Sequence, residues 1–332
     1  RRSSDLIVVY AGAGPGVHIP YLYKLFPQLK MLLVDPANFI FPASDAPFYP
    51  KYILSADQIS YENANCLIIN NLMTHEIAKA LRKYKTIFIS DIRTNDSNDV
   101  GAPDIDILWN HYMQFNWIFE MKPEWNMLKF RFPFYNEVEL PESSFKDEEF
   151  KLAESYAKYI NVREQYKKRE FMYFDGDAWL QVYPGRRSRE MRLVFSNRKK
   201  LKLYKNPTQH LALFYYYNCV ERGFGTHENE NASEDLGFDL CNDCAQENLI
   251  WKKYSNAVKP IIVKDHVRNL GIFLKQPLKQ GPHGFLFGPA DEKLIAKMMD
   301  HEFATAVKLR KEFVSKKISK DRHETISQLL KK

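Results

Sequence analysis

Five residues near the start, Gly12-Ala13-Gly14-Pro15-Gly16, interrupt an apolar run and place three glycines at alternate positions. Glycine lets a backbone turn sharply and lets a ligand lie close against it. The dinucleotide fingerprint is G-x-G-x-x-G, whereas this spacing is G-x-G-x-G with a proline inside, which argues against a pyrophosphate cradle. It favours a ligand whose adenosine and amino-acid portions lie along the turn, namely S-adenosylmethionine. Asp35 ends a second apolar run, MLLVD, 19 positions after Gly16. A carboxylate there can accept protons from both ribose hydroxyls. The bland alternative is a Gly-Pro turn followed by an unrelated surface acid, but the order strand, turn, helix, strand, acid favours the cofactor.

Three further charges fall in or beside short apolar runs: Asp91 after TIFIS, Lys129 within NMLKFRF, and Glu190 at the head of EMRLVF. A charge inside an apolar strand is costly unless it is paired, so Lys129 needs an acid, and Asp91 and Glu190 are the candidates. A lysine acts as a general base only from its neutral form, which nearby positive charge favours and a carboxylate opposes. The acids therefore orient the lysine. The competing reading is a strand lysine in a structural ion pair.

The elements that must position these residues are legible as short apolar runs alternating with helical spacing. The runs are 6–11, 31–35, 66–70, 86–90 and 126–134, and the helical stretches begin at HIPYLYKLF, at 76–84 and at 105–121. This alternation is the signature of a parallel α/β sheet, in which ligands bind outside the carboxyl ends of the strands. A charged, helix-prone insertion spans 139–170. The runs 178–183 and 190–195 flank Pro184-Gly185 and predict an antiparallel pair at the far side of the sheet. The stretch 208–222 reads as helix, 223–240 as a polar loop and 291–332 as a Lys- and Arg-rich helical tail.

The chain has 332 residues, enough for one large domain or two ordinary ones. Hydrophobic content of 45% and charged content of 27% exclude a disordered or fibrous protein. No run reaches the ~20 apolar residues of a membrane span, and the first residues run into the glycine motif without a cleavage pattern, so neither an anchor nor a secretory leader is expected. A net charge of +7 suggests a polyanionic partner. Four cysteines make no disulfide framework and suit a reducing compartment.

Taken in order, VVYAGAGPGVHIPYL, MLLVD, IFISDIRT, LKFRFPF, GDAWLQVYPGRRSREMRL and the helix ending YYYN resemble the poxvirus family of cap-specific mRNA 2′-O-methyltransferases that double as regulatory, processivity subunits of the viral poly(A) polymerase. The resemblance covers roughly residues 7–218 and more loosely 238–255. It implies a Rossmann-like S-adenosylmethionine methyltransferase domain over 1–218, truncated at its amino end, and an α-rich extension over 219–332 partly packed on the core. It implies a large cytoplasmic DNA virus as source, with the host cytoplasm or the virion as location. It implies capped mRNA as substrate, S-adenosylmethionine as cofactor, and a poly(A) polymerase catalytic subunit or another capping enzyme as partner.

The family's catalytic set is lysine, aspartate, lysine and glutamate. The resemblance puts Asp91, Lys129 and Glu190 on the last three, with Lys129 as base toward the ribose 2′-hydroxyl. It assigns cofactor contacts to Gly12, Gly14, Gly16, His18 and Asp35, with Leu72 and Met73 flanking the adenine and Asp91 and Arg93 nearby. Phe134 falls on one of two aromatic rings that clamp the methylated guanine, where a cationic base stacks well. Four departures stand beside this. The first lysine and the other clamping ring lie upstream of the glycine motif in the family, beyond the start of this chain. Asn136 replaces an acid that reads the guanine edge. A second such acid has no clear counterpart at 208–212. Arg186, Arg187 and Arg189 crowd the loop before Glu190, either as RNA-phosphate ligands or as a solvated turn.

Cys241-Asn242-Asp243-Cys244, with Cys219 and His227 upstream, makes a conceivable zinc set. A lone C-x-x-C is a weak signal, and a cysteine buried at a helix start is the simpler reading, so no metal is expected. In the tail, Leu294, Ile295, Met298, Met299, Phe303, Ala306 and Val307 keep helical spacing and read as a face packed on the body; a subunit or RNA interface is the alternative.

Overall fold

A computed structural model of the chain describes residues 6–93, 104–135, 166–181, 188–196, 200–205, 207, 210–211 and 242–258. The first strand, β1 (Leu6–Ala11), leads through the glycine turn into a short helix, α1 (Ile19–Leu25), with Pro20 in its first turn, where a missing N–H costs nothing. β2 (Lys30–Val34), β3 (Pro50–Tyr52) and β4 (Cys66–Ile69) follow. α2 (His75–Leu81) is capped by Thr74, whose Oγ1 accepts the Ile77 N–H at 3.3 Å, and Glu76 sits in its first turn. β5 (Lys85–Ser90), the long α3 (Asp104–Met121) and β6 (Trp125–Phe130) complete a second crossover. Then come β7 (Glu170–Phe174), β8 (Asp177–Leu180), β9 (Met191–Ser196), β10 (Leu201–Lys205) and α4 (Asn242–Ala257).

Eight strands form one sheet in the order β3-β4-β2-β1-β5-β6-β9-β8, and β10 and β7 form an antiparallel pair. β3/β4, β4/β2, β2/β1, β1/β5 and β5/β6 are parallel, and β6/β9 is antiparallel. The fold is thus α/β with a mostly parallel sheet, as the alternation of runs predicts. Strand order reverses between β1 and β5, so the crevice for a ligand opens where Gly12 and Asp91 follow those two strands.

The two sheet faces differ. Phe88, Leu128, Phe130 and Leu193 point to the α3 side and are buried. Phe88 meets Trp117 of α3 edge-on at 6.3 Å. On the other face, Ile19 and Tyr23 of α1 join Val8, Met31, Leu33, Cys66 and Ile68 in one cluster, and Ile87 and Ile89 pack against it. Central strands covered on both sides explain why β2 and β4 read as unbroken apolar runs.

The chain divides into two compact units, residues 1–179 with 191–207, and residues 180–190 with 208–332. The first holds every strand residue except Leu180. Within the second, α4 places Cys244 in its first turn and brings Trp251 and Tyr254 edge to face at 6.0 Å. The readings of most of the 139–170 insertion, 208–222 as helix, 223–240 as loop and the tail from 291 lie outside the described residues. Among the described residues, no helix is long and apolar enough to cross a membrane.

Three local readings change. The strand expected over 126–134 ends at Phe130, because Asp104 captures the N–H groups of Phe134 and Tyr135 at 2.6 Å each, and Tyr135 turns into the left-handed region at φ +57°. The runs after residue 177 do form neighbouring strands, but Glu190 lies just ahead of β9 rather than within it. β3, β7 and β10 have no counterpart in the apolar-run reading: β3 is only Pro-Lys-Tyr at the sheet edge, and β10 alternates Leu and Lys.

His111 on α3 is fully buried among Phe130, Phe171 and Tyr173, with ring centroids 5.2, 5.2 and 4.9 Å away. Burial first, then the charges of Arg93 and Arg131, hold its pKa well below the usual 6.5. The unfolded chain therefore binds this proton first. The stability tied to neutral His111 is present above pH 6.5 and falls as pH drops below it, by up to about 1.4 kcal/mol per pH unit. Denaturant melts at pH 7.5, 6 and 5 should show that slope, and His111→Phe should flatten it. An unchanged slope would mean that another group sets acid sensitivity.

Candidate functional site

The three glycines of the turn sit where neighbouring atoms leave no room for a side chain. Gly12 and Gly16 sit at φ +78° and +76°, which L side chains rarely adopt. A Cβ on Gly12 would lie 2.8 Å from the Asp91 carbonyl carbon. Only glycine lets the two strand ends, which are also tied by the Asp91 N–H to the Ala11 carbonyl at 2.9 Å, come this close.

Asp35 follows β2 and reaches across to the turn. Its Oδ2 accepts the Gly14 N–H at 2.8 Å and its Oδ1 accepts the Ala37 N–H at 2.7 Å. Asn70, after β4, donates to the backbone carbonyls of Asp35 and Ala37 at 2.9 and 2.8 Å and fixes the same loop. Each carboxylate oxygen carries two lone pairs, so one on each remains after the backbone bonds. A tight glycine turn, with Asp35 against Gly14 and Phe39 against Gly16, beside a fixed carboxylate fits an adenosine-bearing ligand such as S-adenosylmethionine, with Gly12, Gly14, Gly16 and Asp35 as the residues that would hold it.

Next to the turn lies a cluster that three strands assemble. Lys129 Nζ is 3.2 Å from Asp91 Oδ1, and Arg192 donates to the same oxygen at 3.1 Å. Lys129 and Arg192 face each other directly across the β6/β9 ladder. The acid that meets Lys129 is thus Asp91, and the second partner of that acid is Arg192. Glu190 belongs to the second unit, where its N–H donates to Ser188 Oγ at 3.2 Å. Behind the cluster, Gln114 of α3 donates to Ser90 Oγ at 3.1 Å and to the Lys129 carbonyl at 3.3 Å. Its own oxygen accepts the Tyr173 hydroxyl at 3.0 Å. One amide thereby ties the carboxyl ends of β5 and β6 together.

Two side chains at this cluster escaped sequence reading. Tyr10 of β1 has its pKa pushed up to about 12, by burial first and then by the Asp91 charge, with Arg192 opposing. Its ring is 6.0 Å from that of His18. His18 is held below its usual range by burial, which outweighs the opposing Asp91 charge. Arg192 carried a usable signal, since it is a second charge within a short apolar run, like Lys129. Tyr10 carried none, because a tyrosine in a strand is ordinarily core.

The remaining candidates scatter. Met73 is buried at 5% exposure and Leu72 stands open at 63%. Arg93 donates to its neighbour's carbonyl, Ile92 O, at 3.1 Å. Phe134 is partly exposed, and the Arg131 guanidinium lies 3.9 Å from its ring centroid. Asp104 holds this segment: besides the two N–H groups it accepts the Tyr166 hydroxyl at 2.8 Å and lies 3.9 Å from Arg131. Arg189 is buried in the second unit. Asn136, Arg186, Arg187, Cys219, His227 and Cys241, and the side chain of Cys244, lie outside the described residues. Among the described residues, no cluster of His, Cys, Asp and Glu could hold a metal ion.

Residues 2–145 match the family model of the poly A polymerase regulatory subunit, in agreement with the resemblance carried by the motifs. A solved structure described as "The structure of bluetongue virus VP4 reveals a multifunctional RNA-capping production-line" is similar over 60% of this chain, at 13% identity and a TM-score of 0.32. The match covers 27% of that viral protein, so this chain spans about a quarter of its length. No curated protein matches.

Proposed function

We propose that this chain binds S-adenosylmethionine and transfers its methyl group to a ribose 2′-hydroxyl at the first nucleotides of capped mRNA. The observation that carries this reading is the Lys129–Asp91–Arg192 cluster beside a tight glycine turn, at the point where the sheet reverses. The family match adds viral mRNA processing as context. Capped mRNA and a poly(A) polymerase catalytic subunit are the partners, and the host cytoplasm or the virion the setting. The methyltransferase domain is assigned to 1–218 and the extension to 219–332.

The cofactor, when bound, supplies an electrophilic methyl group. The chain supplies position and a proton acceptor. Lys129 Nζ takes the proton of the attacking 2′-hydroxyl, while Asp91 keeps the amine in place. Arginine stays charged, so Arg192 leaves Asp91 with a counter-ion when Lys129 is neutral. Asp35 fixes the ribose of the cofactor through its remaining lone pairs, Gly12, Gly14 and Gly16 let the turn lie close against Asp91, Asp35 and Phe39, and Phe134 offers a stacking face to the cap. Much of the rate is expected from holding the two reactants in line. Glu190 is assigned to the catalytic set by the resemblance alone, and Arg186, Arg187 and Arg189 to RNA phosphates by their charge alone.

The test is transfer of a labelled methyl group to capped and to uncapped RNA, with cofactor binding measured alongside. Asp35→Ala should weaken S-adenosylmethionine binding by at least ~1.5 kcal/mol, the size of a hydrogen bond to a charged group. Unchanged affinity in calorimetry would retire the cofactor site. The regulatory-subunit description of the matched family favours one alternative, an RNA-binding processivity subunit without catalysis. RNA binding and stimulated poly(A) synthesis without methyl transfer would establish it.

A further inference from the structure

At the opposite end of the sheet, the amino-terminal rim of β5 and β6 carries an arrangement that methyl transfer does not use. Trp125 opens β6 and is 53% exposed. Its ring has no aromatic or cation–π partner among the described residues. The two connections that reach this rim are short and basic. The α2-to-β5 link presents exposed Arg82, Lys83 and Lys85, and the α3-to-β6 link presents exposed Lys122. Lys122 turns the chain at φ +56°, its N–H capping α3 on the Ile118 carbonyl at 2.9 Å. The Glu124 N–H then donates to the Thr86 carbonyl at 2.7 Å and fixes the two links side by side. Ile87 pairs with Trp125 in the ladder, so Lys85 and Trp125 point to the same sheet face. Lys30 begins β2 on the same rim. The nearby acids are Glu124, which is exposed, Glu120, 3.9 Å from His75, and exposed Asp57, whose pKa is lowered by the Ser55 hydroxyl and, to a lesser degree, by the Lys83 charge. Four exposed cations in the two links thus stand against two exposed acids, Glu124 and Asp57.

We propose that this rim is a docking site for single-stranded RNA, separate from the proposed catalytic cluster. An exposed indole gives a base a stacking platform, and flanking lysines take the phosphates, the combination that binds single strands without reading sequence. A protein partner fits less well. The centre of a protein interface is depleted of charge, whereas here one apolar side chain stands among cations. Trp125 and Lys129 are four residues apart on one face of β6, roughly 13 Å, so the rim lies outside the cluster's hydrogen-bonding reach.

The test uses the full chain and a labelled oligouridylate of about twelve nucleotides, with binding read by anisotropy over a salt series. Trp125→Ala should weaken binding about 5- to 150-fold, and Trp125→Phe should retain most of it. Lys85→Ala with Lys122→Ala should lower the slope of log affinity against log salt by about 1.4. Thermal midpoints should stay unchanged in all three. Methyl transfer is not read, so the result stands whichever way the catalytic proposal falls. RNA affinity unmoved by Trp125→Ala would overturn the site. So would a loss that merely follows a lowered thermal midpoint. A change in self-association without a change in RNA binding would make the rim a protein contact instead.

Discussion

Replacing Lys129 by alanine should remove methyl transfer by at least ~100-fold, the low end for loss of a general base, while leaving S-adenosylmethionine affinity nearly intact. The separation follows from position. Lys129 touches Asp91 and not the glycine turn, so the turn from Gly12 to Gly16 and the fixed Asp35 carboxylate survive its loss. The fold survives too, because Asp91 keeps Arg192 as its counter-ion at 3.1 Å. Lys129→Arg should not restore turnover, since arginine holds its proton. If Lys129 is only a structural ion pair, stability and cofactor affinity should fall together and activity per folded molecule should persist. Turnover, unfolding midpoint and calorimetric affinity on one mutant preparation separate these outcomes, and substantial turnover by well-folded Lys129→Ala would retire the base.

Asp104→Ala should cost about 3–5 kcal/mol of stability, the range for breaking a buried charged network by removing one partner. The carboxylate is 3% exposed and accepts two backbone N–H groups and the Tyr166 hydroxyl, with Arg131 nearby. Its removal strands those donors and leaves the Arg131 charge without this acid. Asp104→Asn should fall between, because its amide keeps one acceptor oxygen. Denaturant unfolding measures this, and a loss under about 1 kcal/mol would show that water replaces the carboxylate at little cost. Because the same bonds aim the segment bearing Phe134, a destabilised Asp104→Asn that still folds should also bind capped RNA more weakly than the wild type.

The parts written in the sequence are those with a local signal. Three glycines at alternate positions mark a turn that structure makes compulsory at Gly12, where the Asp91 backbone leaves no room for a Cβ. A lysine in an apolar strand requires an acid, and Asp91 meets it. What could not be read depends on pairing across long separations. Asp91 reaches Lys129 through the β5/β6 ladder, and Arg192 is added by the β6/β9 ladder, which joins residues about 60 positions apart. The role of Gln114, a polar residue on a largely apolar helix, appears only when β5, β6 and β7 bring Ser90, the Lys129 carbonyl and Tyr173 to it. The end of β6 at Phe130 was hidden for a similar reason, because the acid that bends the chain away is Asp104, at the start of the preceding helix.

The direct opposition of Lys129 and Arg192 makes the cluster intolerant of frame errors. Side chains alternate between faces along a strand, so sliding β9 by one position against β6 moves its whole set. Arg192 would turn toward the layer that holds Leu128, Phe130 and Leu193, where a guanidinium finds apolar neighbours, and Asp91 would lose its permanently charged partner. Insertions or deletions of one residue inside Met191–Ser196 should therefore act as an on-off switch on the site, while changes of the same size absorbed in a flanking loop leave its geometry untouched.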